Sequence, residues 1–183
     1  MKQTDEELVR FLKEEDANSF TDRLQRLRFL VEMFGEPGHL LLPGELSPYL
    51  FEEARLCYLN GEYIACVMLC QSLLEELFRG LFRMSGRDDL NKAGFKEITD
   101  EALSKGLITQ DEARAFDRIR DHRNRYVHPP PPSSPKWMPR RMVEENKDLF
   151  KLVHSDVEEA LIIMFRIIKR HPFYFPDEGG TKK

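Results

Sequence analysis

A chain of 183 residues fits one domain with an appended segment. It is 41% hydrophobic and 33% charged, with a formal net charge of -4. That balance excludes nucleic-acid binding through overall basicity, so any RNA or DNA contact must come from a local patch. The absence of a run of about 18 apolar residues excludes a membrane-spanning helix, and Met1 to Glu15 lack the pattern of a signal peptide.

The first elements are helical. Residues 4 to 15 read as a short polar helix. Residues 18 to 34 read as a second, with Leu24, Leu27, Leu30, Val31 and Phe34 at three- and four-residue spacing. Gly35 and Pro37 stop it, and Glu36 to Glu45 reads as a loop. Ser47-Pro48 predicts a helix start, with serine as the cap and proline in the first turn. That helix runs to Asn60-Gly61. A long apolar helix then runs from Glu62 to about Arg83 and has the width of a central helix.

Ser85 to Gly94 is a polar connection, and Phe95 to Lys105 is a short helix closed by Gly106. Thr109 and Glu112 match a capping box and open a helix to His128. The proline-rich stretch 129 to 139 cannot continue it and reads as an extended loop. Arg140 or Arg141 opens the last long helix, to about Lys169, with Phe150, Val153, Val157, Leu161, Met164 and Ile168 as its stripe. Phe173 to Phe175 pack back onto the body in this reading, and Asp177 to Lys183 form a tail. Cys57, Cys66 and Cys70 lie in apolar helical patterns without zinc spacing, which predicts buried free thiols in a reducing cytosol. No phosphate-binding glycine loop, internal repeat or strand stands out. The prediction is an all-α bundle of about six helices.

One residue departs from this pattern. In the helix from Thr109 the inward stripe runs Phe116, Ile119, Arg123, Val127. Arginine is rarely buried unless paired. Arg123 therefore needs either a carboxylate inside the bundle or an anionic ligand in a cleft. Asn124 and His128 share the neighbouring face, and Pro129 places His128 at a helix end near solvent. An imidazole moves protons near neutral pH, and a guanidinium binds phosphate through two parallel hydrogen bonds. RNA supplies its own 2′-hydroxyl nucleophile, so such a site needs no cofactor and no metal. Arg114, Arg118, Arg120 and Arg125 form a modest basic patch around it, interrupted by Asp117 and Asp121. Spacing alone is weak, because Arg166 and His171 repeat it off their helix's stripe and without a following asparagine.

The segment Arg123-Asn124-Arg125-Tyr126-Val127-His128 resembles the R-x4-6-H signature of HEPN domains. SPYLFEEARLCYLNGEYIACVMLCQSLLEELFRGL and KGLITQDEARAFDRIRDHRNRYVHP resemble the helices that precede it in many small prokaryotic members. The resemblance covers about residues 45 to 170. It implies a helical domain over 45 to 172, after an N-terminal helical extension over 1 to 44 and before a tail over 173 to 183. It further implies a homodimer that brings two motifs into one cleft and cuts RNA without metal. Toxin–antitoxin or antiphage roles, with an antitoxin or regulatory protein as partner, follow from the same resemblance. Carried over, Arg123 holds the scissile phosphate, His128 transfers protons and Asn124 orients one of them. Glu75 maps to the central glutamate of the long helix and reaches Arg123 in this reading, with Gln71 one turn before it where many relatives carry a basic residue. Arg120, Arg125 and His122 are the expected RNA contacts. Pro129 and Pro130 stand where one branch has a modified tyrosine, which argues against regulation by a nucleotidyltransferase antitoxin. The alternative is a catalytically silent HEPN module that binds a partner protein or nucleotide.

Overall fold

The computed structural model describes residues 4–35, 38–170 and 174–176. Seven α-helices occur among them: α1 (Asp5–Phe34), α2 (Ser47–Asn60), α3 (Tyr63–Met84), α4 (Phe95–Ser104), α5 (Gln110–Val127), α6 (Met138–Glu144) and α7 (Leu149–Arg170). A 3-10 turn, Asp88–Lys92, lies in the connection before α4. Two three-residue strands, β1 (Gly38–Leu40) and β2 (Tyr174–Pro176), pair antiparallel with His39 opposite Phe175. Tyr174 and Phe175 thus pair with β1 through their backbone, while Phe173 and Asp177 to Lys183 lie outside the described residues. The all-α reading holds, and no described helix is long and apolar enough to cross a membrane.

The chain departs from the predicted elements at both ends. The two N-terminal helices are one. Thr4 and Glu7 cap it reciprocally, and neither glycine nor proline interrupts residues 5 to 34. Its predicted stripe is also split. Leu24, Leu27 and Val31 face solvent, while Leu30 is buried and Phe34 meets Phe51 and Phe165. At the other end the predicted long helix breaks into α6 and α7 at Asn146, which takes a positive φ of 50°. Asp148 then caps α7 by accepting the Lys151 N–H at 2.8 Å. Phe150 is exposed, and the rest of the α7 stripe is buried. Ser47 does not cap α2, since its hydroxyl donates to the Pro43 carbonyl at 2.6 Å.

Helix α3 is the centre, packed against α2, α5 and α7. Gly61 turns α2 into α3 in the left-handed conformation. Cys66, Cys70, Leu73, Leu74, Leu77 and Phe78 are fully buried. Phe116 of α5 stacks on Phe95 of α4 at 5.5 Å and meets Phe78 at 5.9 Å, which fixes the approach of α5 to the core. All three cysteines are free, Cys57 only partly buried, and burial beside Glu62 pushes the Cys57 thiol up to about 12.

Gly80 marks a close approach. A Cβ there would lie 2.7 Å from the backbone of Pro43 and Gly44, which cross over α3. Alanine favours a helix by about 1 kcal/mol over glycine. A clash with main chain costs about 1–3 kcal/mol, so Gly80→Ala is expected to lower the urea midpoint.

Candidate functional site

The capping box at Thr109 forms as predicted and starts α5. Glu112 accepts the Thr109 N–H at 2.7 Å and also pairs with Arg170 of α7. From there the buried face of α5 runs Phe116, Ile119, His122, with half-buried Tyr126 one turn on. The stripe therefore passes through His122, which is 5% exposed, and not through Arg123. Val127 is 37% exposed and Arg123 half-buried. The helix rotates the motif toward solvent in its last turn.

Arg123 donates from Nη1 to Asn124 Oδ1 at 3.1 Å. No carboxylate among the described residues forms an ion pair with it. Glu75 is occupied elsewhere on α3: it accepts from Gln71 Nε2 at 2.8 Å and from Arg79 Nη2 at 3.0 Å. The internal Arg123–Glu75 contact is therefore corrected. A helical i, i+4 pairing with Arg79 satisfies Glu75 before α5 can. Gln71 Oε1 and Arg79 Nε stay buried without a partner. His128 is the C-cap of α5, exposed, with its N–H bonded to the Asn124 carbonyl at 2.8 Å. Arg123, Asn124 and His128 thus share one helix end open to solvent.

Of the remaining expected RNA contacts, His122 and Arg125 turn inward, while Arg120 stays partly exposed. His122 lies between Asp156 Oδ2, 3.0 Å from its Nδ1, and Glu159 Oε2, 3.1 Å from its Nε2. Arg125 turns inward toward the same Nδ1, and its Nε is buried without a partner. Arg120 pairs with Asp117 at 3.0 Å. His122 and Arg125 are thus corrected from surface contacts to parts of an internal network, because the carboxylates of α7 face His122 and Arg125 turns toward its ring.

That network is the main polar feature absent from the sequence reading. Asp156 of α7 is 2% exposed. It accepts the Tyr126 hydroxyl at 2.6 Å and both Nη atoms of Arg141 at 2.6 Å each. Glu159 also accepts from Arg118 Nε at 2.7 Å. The cluster ties α5, α6 and α7 together, and α6 has no buried residue of its own. Arg141 therefore anchors α6 together with Met138, which packs partly buried against the core. A signal for it existed: Asp156 sits in line with Leu152, Ala160 and Ile163, all buried, so a carboxylate interrupts an apolar stripe.

Electrostatics follow from this packing. Burial alone would raise the Asp156 carboxyl, but His122, Arg141 and Tyr126 outweigh it and hold it far below the usual range. The His122 hydrogen bond, with Arg118 beside it, lowers Glu159 to about 2 against the cost of burial. Burial opposes the charged form of His122, yet the Asp156 and Glu159 carboxylates raise its pKa. Nδ1 cannot serve both neighbours. Protonated, it donates to Asp156; unprotonated, it accepts from Arg125.

The folded state therefore holds the His122 proton more tightly than the unfolded chain does. Its contribution is complete below 6.5 and lost as pH rises through the folded value. The Glu159 contribution is complete above 4.5 and lost as pH falls toward 2. Thermal stability is expected to be highest between these limits and to decline as pH rises above 6.5. His122→Gln should flatten that decline in a melting series.

A family model described as "Domain of unknown function (DUF4145)" matches residues 52–170, more than half of the chain. The chain belongs to this family. The matched span runs from α2 to the end of α7 and holds both the α5 motif and the Asp156 network, while α1 lies outside it. No curated protein matches the chain. No solved structure matches it.

Proposed function

We propose that this chain is a HEPN-type endoribonuclease whose site is the exposed end of α5. The observation that carries the reading is Arg123: its guanidinium has no carboxylate among the described residues, is held by Asn124, and lies five residues before exposed His128 at the same helix end. An arginine so placed is available to a phosphate. The Asp156 network supports the reading by fixing the last turn of α5 from behind, through His122 and Tyr126.

In the proposed reaction the 2′-hydroxyl of RNA attacks the adjacent phosphorus. A histidine takes the hydroxyl proton, Arg123 neutralises the developing charge, and a proton passes to the departing 5′-oxygen. The products are a 2′,3′-cyclic phosphate and a 5′-hydroxyl. One imidazole cannot be base and acid at once, so two copies of His128 across a homodimer cleft suit the step. The nucleophile belongs to the substrate, and no metal or cofactor is required. We place the protein in the cytoplasm, as a toxin or defence effector held by an antitoxin or regulatory partner.

The test is cleavage of single-stranded RNA by the full chain in excess EDTA. Cleavage that survives EDTA and disappears with His128→Ala supports the reading. RNA bound but left intact points to the silent binding module, and strict dependence on a divalent metal overturns the mechanism.

A further inference from the structure

A second set of side chains, sharing no residue with the α5 site, forms a cleft of about 440 Å³ where α1, the α2–α3 corner and the start of α7 meet. Its walls are rings. Tyr63 stands edge-on to Phe150 at 5.5 Å and to His154 at 5.0 Å. Phe150 is 65% exposed and borders a second hollow with Tyr63, Leu149 and Val153. The ring lies nearly parallel to His154 at 6.3 Å, and its part left in water offers a surface for another flat group.

The charges around the rings are ordered. Lys147 and Lys151 line the cleft. Lys151 is exposed and Lys147 half-buried, and their respective partners, Asp148 and Glu145, are surface carboxylates at 3.3 Å each. Such pairs are cheap to exchange for a ligand's anion. Glu158 lies within the cleft, accepting the Tyr58 hydroxyl at 3.4 Å, with oxygen capacity left for further N–H donors. With Arg26 the cations outnumber the carboxylates Asp22 and Glu158, which disfavours a cationic ligand.

We propose that this cleft binds a nucleotide unit. The base stacks on Phe150 and turns an N–H edge to Glu158, and the phosphate meets Lys147 and Lys151. The unit is either a free mononucleotide or one nucleotide of an RNA strand. The inference does not depend on RNA cleavage at α5.

The experiment is calorimetric titration of the full chain with GMP, with AMP, and with a single-stranded 2′-O-methyl oligoribonucleotide that cannot be cut. At least one probe is expected to bind. A mononucleotide that binds identifies a free ligand, and binding of the oligonucleotide alone identifies a strand. Phe150→Ala should weaken binding by about 5- to 150-fold, the usual range for loss of one base stack. Phe150→Trp should retain it. Lys147→Ala with Lys151→Ala should weaken binding and reduce its salt dependence. Phe150 is exposed, so its loss should leave the circular dichroism spectrum unchanged. Failure of every probe to bind overturns the proposal, as does affinity indifferent to Phe150→Ala. The dependence of binding on Phe150 reads the cleft and cleavage assays read α5, so either can fail alone.

Discussion

Replacing Asp156 with alanine is expected to lower folding stability by about 3–5 kcal/mol, the usual cost of stranding buried charge. The carboxylate accepts from three side chains on two other helices: Tyr126 and His122 of α5 and Arg141 of α6. Its removal leaves the Arg141 guanidinium with only Glu145 and leaves the imidazole between Glu159 and Arg125. Tyr126→Phe makes a graded comparison. It removes one hydrogen bond to a charged acceptor, about 1.5–3 kcal/mol, and strands no charge. Urea unfolding of both variants checks the order, and Asp156→Ala should also release α6, seen as faster amide exchange over 138–144. A loss under about 1 kcal/mol would mean that the ion pairs merely offset their own desolvation.

The second large effect concerns catalysis. His128→Ala is expected to reduce RNA cleavage by at least 10²–10⁴-fold, the contribution of a positioned proton-transfer group. The fold should be unaffected, because His128 is exposed and its helix-ending hydrogen bond comes from the backbone. Arg123→Ala should lose activity comparably with little change in melting temperature, since no carboxylate among the described residues depends on it. That contrast separates the two arginines: Arg123 should matter for RNA, and Arg141 for stability.

Much of the fold was legible in the sequence, and the reasons are local. The Thr109–Glu112 capping box and Gly61 are short-range signals, and each formed as read; the apolar width of α3 also holds through Val67, Leu73, Leu74, Leu77 and Phe78, although Ile64 is exposed. The misses arise where tertiary contacts override pattern. Leu24, Leu27 and Val31 have the spacing of a core face, yet α1 packs through Phe29, Leu30, Met33 and Phe34. Periodicity gives a helix a face but does not say which of two faces meets a neighbour.

The α5 site was legible in the same partial way. Its residues come from one helix end, so spacing alone places Arg123, Asn124 and His128 together. The inward side was misjudged by one residue, and His122 rather than Arg123 takes the buried position. Their surroundings were not legible, because the partners of His122 and Tyr126 lie about thirty residues away on α7. Glu75 shows the converse. Its sequence position places it mid-way along α3, but a residue one turn along its own helix, and not Arg123, satisfies it.

The most direct measurement is the chemistry of the RNA ends after incubation with the full chain in EDTA. Expected are 2′,3′-cyclic phosphate and 5′-hydroxyl termini, produced by the wild type and absent with His128→Ala and with Arg123→Ala. Ends carrying a 5′-phosphate, or cyclic ends that persist in both variants, would contradict a site built from Arg123 and His128.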